Sequence, residues 1–262
     1  MKIARFSVDG MELPGRVDGR LLRVLKGNPF ERIEVTRASY PLEKVRLLPP
    51  TRPVNYWGVG ENYPKHVNFR VEELGSAIAE RAKKFTPWHK GAGCIIASGD
   101  PVVVPPDVDW IEYEGELCIV IGKPAFKVSI DAAKDHIFGY TVSNDIGSGP
   151  AWFRADYSLW RVKSTDTFGP IGPWIETEIA DPHQLDIIVR VDGREEDRGN
   201  TRDMVHNCYE IVSNISQYVT LNPGDMITTG APGLTRALRP GEVVEVEIPE
   251  IGILRNPVAA SE

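Results

Sequence analysis

Short apolar runs punctuated by glycine and proline dominate the chain, and their period is more often that of strands than of helices. Ile3-Ala4-Arg5-Phe6-Ser7-Val8 ahead of Asp9-Gly10 predicts a strand and a turn, followed by a second short strand near Leu21 to Leu25. Pro49-Pro50 and Pro53 stiffen what comes next, because proline fixes its own φ and pushes the preceding residue towards extended backbone. A boundary is therefore expected near residue 50, between a small N-terminal subdomain (1–50) and a larger unit (51–262). Beyond it, Val54 to Val59, Ile95-Ile96 and Val102 to Val104 read as strands. Leu117-Cys118-Ile119-Val120-Ile121 is a continuous apolar run of the kind buried on both faces. Leu185 to Val191, closing on Asp192-Gly193, predicts a hairpin, and Val244, Val246 and Ile248 alternate with Glu245 and Glu247 as in a strand with one wet face.

Three stretches carry a helical period instead. Leu74, Ile78, Ala82 and Phe85 share one face of residues 71–85 with charges elsewhere, which predicts an amphipathic helix. A short helix fits Asp131 to Phe138. Residues 203–219 place Met204, Cys208, Ile211, Ile215 and Tyr218 at three- and four-residue spacing, with Thr201 or Asp203 as N-cap. Strands outnumber helices and no internal repeat recurs, so the expected class is α+β, mainly β.

Composition narrows the function classes. With 42% apolar and 26% charged residues over 262 positions, the make-up is that of an ordinary globular protein rather than a disordered, collagen-like or coiled-coil one. A net charge of −7 with no dense basic patch argues against nucleic-acid partners. No apolar stretch approaches the roughly 20 residues of a membrane-crossing helix, and the opening Met1-Lys2-Ile3-Ala4-Arg5 lacks a signal peptide's apolar block. These features predict a cytoplasmic protein with no membrane partner. Cys94, Cys118 and Cys208 are too few and too widely spaced for a disulfide framework or a CxxC zinc site. No dinucleotide fingerprint, phosphate loop or nucleophile elbow is present.

The most informative chemistry lies in Ile111-Glu112-Tyr113-Glu114-Gly115-Glu116-Leu117. Alternate residues of a strand share a face, so Glu112, Glu114 and Glu116 are expected to project their carboxylates to one side. Like charges beside a core strand repel unless a cation holds them, and hard oxygen donors select Mg²⁺, Mn²⁺ or Ca²⁺ over zinc. A solvent-facing sheet edge would give the same pattern without a metal, though the apolar run that follows weighs against it. Asp145, where the strand-like Tyr140 to Asn144 ends, is placed either to add a third carboxylate or to cap the turn.

Several segments, in order, resemble the fumarylacetoacetate hydrolase family. Gly60-Glu61-Asn62-Tyr63-Pro64-Lys65-His66 is similar to its "G-x-N-Y-x-x-H" lid, Glu114-Gly115-Glu116-Leu117 to its "E-x-E-L" strand, and Asn144-Asp145 to its "N-D" ligand. Lys163 to Pro173 resembles "K-x-x-D-T-F-x-P-x-G-P", Leu221 to Pro232 resembles "L-x-P-G-D-x-I-x-T-G-T-P", and Ile251 to Asn256 resembles "I-G-x-L-x-N". The match spans residues 55 to 258. The resemblance implies a mixed β-sandwich roll with a few peripheral helices, usually in homodimers, binding Mg²⁺ or Mn²⁺. It implies Glu114, Glu116 and Asp145 as metal ligands, with Glu112 spare. It further implies Lys163 near the metal, holding a substrate oxygen, Lys90 in Pro87-Trp88-His89-Lys90 as the catalytic lysine of the family's "F-x-K" segment, and His66 as general base on a closing lid. Tyr63, Thr229 and the Gly230 backbone would bind a small 2-oxo acid substrate. The implied reaction is hydrolysis of a C–C bond in a 2,4-dioxo acid, with negative charge gathered on the carbonyl oxygen.

The chain also departs from that pattern. Phe69 stands three residues after His66, where hydrolytic and decarboxylating members carry a glutamate that orients water; Glu72 or Glu73 is the nearest substitute. The family's "N-D-x-S-A-R" becomes Asn144-Asp145-Ile146-Gly147-Ser148-Gly149, so its arginine is missing, leaving Arg154 or Arg161 to bind the anion. Ala231 replaces a threonine in "T-G-T-P". Two further readings therefore stand beside hydrolysis. One keeps the metal but decarboxylates, isomerises, hydrates or dehydrates a related 2-oxo acid; Phe69 favours it, because proton shuffling needs a base but no water-activating dyad. The other is an inactive relative that binds a metabolite.

Overall fold

Two β-sheets packed face to face form the body of the protein, in a computed structural model that describes residues 1–108, 110–149, 152, 155 and 159–261. In spatial order the main sheet runs Val35–Pro41, Leu21–Leu25, Met11–Asp18, Lys2–Val8, Gly169–Glu176, Ile137–Asn144, Gly115–Ile121, Met226–Thr228, Tyr56–Gly60 and Thr86–Lys90. The second runs Arg194–Asn200, Asp186–Val191, Val243–Ile248, Gly252–Ala260 and Val102–Val104. Gly115–Ile121 packs on Asp186–Val191, and Ile137–Asn144 on Val243–Ile248 and Gly252–Ala260. Leu117, Ile119, Val142, Val189, Val246 and Leu254 belong to the one large core between them. This is an α+β fold, mainly β, a mixed β-sandwich roll with a few short helices.

Local pattern explains most of these elements. Gly115–Ile121 is buried at every position, as its unbroken apolar run requires, and each large aliphatic side chain so buried contributes roughly 1.5–3 kcal/mol. In Val243–Ile248 the three apolar residues Val244, Val246 and Ile248 are buried while Glu245 and Glu247 are only partly so. Asp192 and Gly193, with φ of 51° and 76°, make the tight turn between Asp186–Val191 and Arg194–Asn200. The first residues form more strands than their pattern suggests: Met11–Asp18, Val35–Pro41 and Arg46–Leu48 join Lys2–Val8 and Leu21–Leu25. They bury a small core of their own (Ala4, Phe6, Leu22) and extend the main sheet where Ile3 pairs with Ile175.

The helices differ from expectation, each for an identifiable reason. Instead of one helix over 71–85 there are two, Pro64–Leu74 and Ala77–Arg81, with Gly75 at φ 95° between them. Pro64 at the first helical position starts the first one inside the lid motif, since its missing N–H costs nothing there. Residues 82–85 leave the helix, and Thr86–Lys90 becomes a strand on the sheet edge. Ile130–Ala133 is a single turn, after which Ile137 and Phe138 already belong to the strand. The last helix is Cys208–Ser216, capped by Asn207, whose side chain accepts from Tyr209 and Glu210 N–H while Glu210 accepts from Asn207 N–H. That reciprocal cap outcompetes Thr201 and Asp203, which form a separate 3₁₀ turn. Tyr218 falls past the helix end and is 88% exposed.

Candidate metal centre and active site

Register brings the acidic residues together. Gly115–Ile121 lies antiparallel to Ile137–Asn144 with Gly115 opposite Asn144, so Glu116 and Asp145 end up at the same end of the pair. Asp145 N–H donates to Glu114 O at 2.8 Å, and Glu114 N–H donates to Asn144 Oδ1 at 3.0 Å. One oxygen from each of Glu114, Glu116 and Asp145 lies within 4.8 Å of the others. A side chain at Gly115 would start 2.7 Å from Val189 and 2.9 Å from Val246, so the second sheet packs against bare backbone between the two glutamates. Glu112 reaches the same cleft from another element. Ile111–Glu112 belongs to a small sheet with Gly147–Ser148 and Ala237–Leu238, and the strand expected through all three glutamates is interrupted at Tyr113 and Glu114.

Two lysines balance part of this charge. Lys163, on the short helix Trp160–Ser164, donates to Glu114 Oε2 at 2.7 Å and to Asp145 O at 2.9 Å, and stands 3.1 Å from Asp145 Oδ2. Lys90 is wholly buried behind the cluster, donating to Asp145 Oδ1 at 2.5 Å, to Phe168 O at 3.0 Å and to Lys163 O. Burial alone would raise Glu114, but Lys163 and Arg70, with His66, hold it at about 2. Burial lowers Lys163, and Asp145 and Glu114 more than offset this, so its ammonium is held firmly. Glu116 is pushed well above the ordinary carboxylate range by burial and then by Asp145 and Glu114. Its Oε2 accepts from Gly230 N–H at 2.6 Å, while Oε1 is buried without a hydrogen-bond partner; Asp145 Oδ2, also without a hydrogen bond, has only the Lys163 ammonium beside it at 3.1 Å. An orphaned Glu116 oxygen crowded against two more carboxylates fits a hard divalent cation, which would give that atom a partner and relieve the repulsion.

The cluster floors a cleft of about 700 Å³, counting its open mouth. Its apolar lining comprises Val59, Ile78, Trp88, Leu159, Val162 and Ala231. His66 and Arg70, one turn apart on Pro64–Leu74, also line it. His66 Nδ1 is 2.7 Å from Gly233 O, so it carries the proton, and Nε2 is the basic nitrogen, 3.9 Å from Glu114 Oε1. Phe69 sits beside this imidazole, ring centroids 6.3 Å apart. The loop past Met226–Thr228 closes the floor. Gly230 has φ 94°, and a side chain there would start 3.0 Å from Asn62 Cβ and 3.2 Å from Val59 O.

With this geometry in place, comparison with known proteins is decisive. Residues 55–259 match the fumarylacetoacetate (FAA) hydrolase C-terminal family, and residues 1–50 match the Rv2993c-like N-terminal family. The chain belongs to the fumarylacetoacetate hydrolase family. Human mitochondrial oxaloacetate tautomerase FAHD2A is 36% identical over 81% of this family member and 68% of the human protein. The crystal structure of 5-carboxymethyl-2-hydroxymuconate delta-isomerase from Mycobacterium smegmatis superposes with a TM-score of 0.90 at 32% identity, covering all of both chains. Maleylpyruvate hydrolase from a Sphingobium species, solved with manganese(II) and pyruvate, superposes at 0.81 with 26% identity, again over all of both chains.

In this family member the residues singled out from sequence converge unequally. Glu114, Glu116, His66, Lys163 and Gly230 line the cleft; Asp145 and Lys90 lie just beneath it. Tyr63 is buried, and the Thr229 hydroxyl donates to Leu117 O at 2.9 Å, so its donor is already used. Gly230 N–H is likewise committed to Glu116. Glu72 is exposed; the side chain of Glu73, and Arg154, fall outside what is described. Arg161 stacks on Trp152, 4.4 Å from the ring centroid, and does not line the cleft. Sequence reasoning overlooked Arg70, and with it the pairing of Glu112, whose Oε1 accepts from Arg70 and whose Oε2 accepts from Thr235 at 2.9 Å. The spacing His66 to Arg70, i to i+4, would have revealed Arg70 had the helix been started at Pro64.

Opposite shifts of the two glutamates set the pH behaviour. Glu114, held at about 2, contributes stability that is present above its ordinary value of 4.5 and lost as pH falls through about 2. Glu116 behaves in reverse: folded protein keeps a proton that the unfolded chain has released, so metal-free stability declines as pH rises from 4.5 through the raised value. A bound cation would have to displace that proton, so the melting-temperature gain given by saturating Mg²⁺ is expected to grow as pH rises above the ordinary carboxylate range. A gain independent of pH would remove Glu116 from the cation site.

Proposed function

We propose that the protein is a divalent-metal-dependent enzyme that moves a proton at the carbon beside the carbonyl of a small 2-oxo acid, a keto–enol tautomerase or isomerase. The state of His66 carries this reading. Its Nε2 is a base facing the acidic cluster, yet Phe69 occupies the position of the water-orienting glutamate, and among the described residues its carboxylate neighbour is Glu114 Oε1, 3.9 Å away. Such a histidine takes and returns a proton, and no glutamate among the described residues stands where it would orient water for it.

Glu114, Glu116 and Asp145 would hold Mg²⁺ or Mn²⁺, which when bound supplies Lewis-acid polarisation of the substrate carbonyl. Lys163 places a fixed positive charge beside the same cluster, where it stabilises negative charge developing on the carbonyl oxygen. His66 Nε2 removes the adjacent C–H proton and delivers it to the oxygen, and the reverse passage restores the ketone. The Gly233 carbonyl holds the imidazole in the required tautomer throughout. The apolar lining around Trp88 and Val162 keeps bulk water from the carbon centre.

Hydrolysis of a C–C bond in an acylpyruvate is the second reading, supported by the whole-chain likeness to maleylpyruvate hydrolase. Oxaloacetate, named for the human relative, is the first substrate to try. With Mg²⁺ present, the protein is expected to speed loss of the enol absorbance of oxaloacetate and to wash deuterium from D₂O into its methylene group. Under the same conditions an acylpyruvate in H₂¹⁸O is expected to yield no labelled acid. Label in the cleaved acid without acceleration of ketonisation would reverse the order of the two readings.

A further inference from the structure

The helix that carries His66 has a weak beginning. Its N-cap, Tyr63, makes no side-chain capping bond among the described residues, and its first turn holds no acidic residue but a lysine, Lys65, whose charge opposes the helix dipole there. Lys65 is tied outward instead. Its Nζ donates to Asp197 Oδ1 at 2.8 Å and to Arg198 O at 3.4 Å, on Arg194–Asn200 at the edge of the second sheet. Asp197 lies opposite the buried Val189, so it shares the inward face of that strand, and only 7% of its side chain is exposed.

The same carboxylate bears on the other attachment of His66. A side chain at Gly233 would collide with Asp197, and one at Gly199, two positions along the strand on the same face, would collide with Pro232. Pro232 and Gly233 therefore rest directly on the strand, and it is the Gly233 carbonyl that accepts from His66 Nδ1 at 2.7 Å. Asp197 thus grips His66 twice, through the helix on which the histidine sits and through the acceptor of its proton. The tautomer depends on that grip. Free imidazole favours the proton on the nitrogen remote from the backbone, Nε2, whereas the bond to Gly233 keeps the proton on Nδ1 and leaves Nε2 bare towards Glu114. We infer that Asp197 is the positioning residue of this histidine, with Lys65 as its link to the helix, fixing the ring in the orientation and tautomer in which Nε2 is basic. The inference rests on reading His66 as the base and identifies what holds it so.

Nitrogen NMR of the Mg²⁺-saturated protein with ¹⁵N-labelled histidine tests this without substrate, at about pH 9, above the ordinary imidazole range. The His66 signals are those missing from His66→Gln, and in wild type they should report the proton on Nδ1. In Asp197→Ala most of the population should move to the Nε2–H form, in Lys65→Met a smaller part, and in Lys65→Arg, which keeps charge and reach, almost none. Lys65 is half exposed, so Lys65→Met should melt within roughly 2 °C of wild type, which separates a shifted tautomer from a failing fold. With oxaloacetate, kcat should fall in the same order, by about tenfold or more in Asp197→Ala, with KM held within about twofold. A tautomer unchanged in both Asp197→Ala and Lys65→Met overturns the inference and leaves the base assignment standing. A wild-type proton on Nε2, or a kcat that holds while the tautomer shifts, removes His66 as the base and the inference with it. Absence of oxaloacetate turnover in wild type sinks the substrate reading, and the tautomer result then judges Asp197 by itself.

Discussion

Glu116→Gln is expected to lose cation-dependent stabilisation altogether and to lower turnover of 2-oxo acids by about a thousandfold or more, while its metal-free fold is no less stable than the parent's. A buried residue rarely behaves this way. Glu116 is 1% exposed, and burial together with Asp145 and Glu114 disfavours its charge. Oε1 has no hydrogen-bond partner, and the Gly230 N–H bonded to Oε2 finds an equivalent acceptor in the amide oxygen of glutamine. The substitution thus removes repulsion without opening a cavity. Calorimetric melts in chelator and in saturating Mg²⁺ separate the two effects. A chelated variant melting well below the parent would make Glu116 a structural residue, and a variant that still responds to Mg²⁺ would exclude it as a ligand.

Lys90→Met is expected to be the most destabilising change near the site. The ammonium is entirely buried and satisfies Asp145 Oδ1 and the carbonyls of Phe168 and Lys163. Methionine matches its length but supplies no donor, leaving two carbonyls bare and part of a buried carboxylate uncompensated. Breaking a buried pair in this one-sided way costs about 3–5 kcal/mol. For a chain of this size the metal-free melting temperature should fall by roughly 10 °C. Mg²⁺ should restore some of the loss, since it offers Asp145 another counter-charge. A fall of only a degree or two would mean that Lys90 carries little of the cluster's charge balance. Lys90 is thus a positioning residue in our reading, holding Asp145 and the backbone of Lys163 from behind.

What the sequence disclosed about this site followed the local rules of backbone geometry. Glu114 and Glu116 were legible because a strand puts alternate residues on one side, and the apolar run after them marked that strand as interior. The reach of Glu112 was misjudged, since the chain leaves one sheet and enters another between Glu112 and Gly115, a change that no two-residue period records. The helix over 71–85 was mistaken because a regular apolar face continued through Gly75, and only the backbone at φ 95° reveals the break. Arg70 was hidden for a different reason. Its carboxylate partners lie 42 and 44 positions away, and such pairings are decided by how sheets stack rather than by neighbouring residues. Thr235, 123 positions from Glu112, was equally out of reach.

The turn at Gly230 has a consequence for how this protein can vary. Its backbone torsion, the crowding from Asn62 and Val59, and the N–H aimed at Glu116 all bear on a residue with no side chain to contribute. Selection for turnover alone would hold glycine there as strictly as it holds a ligand. A lineage could trade Phe69 or Ala231 for new chemistry while position 230 stayed fixed, so constancy at that position would trace the inheritance of a scaffold rather than of a reaction.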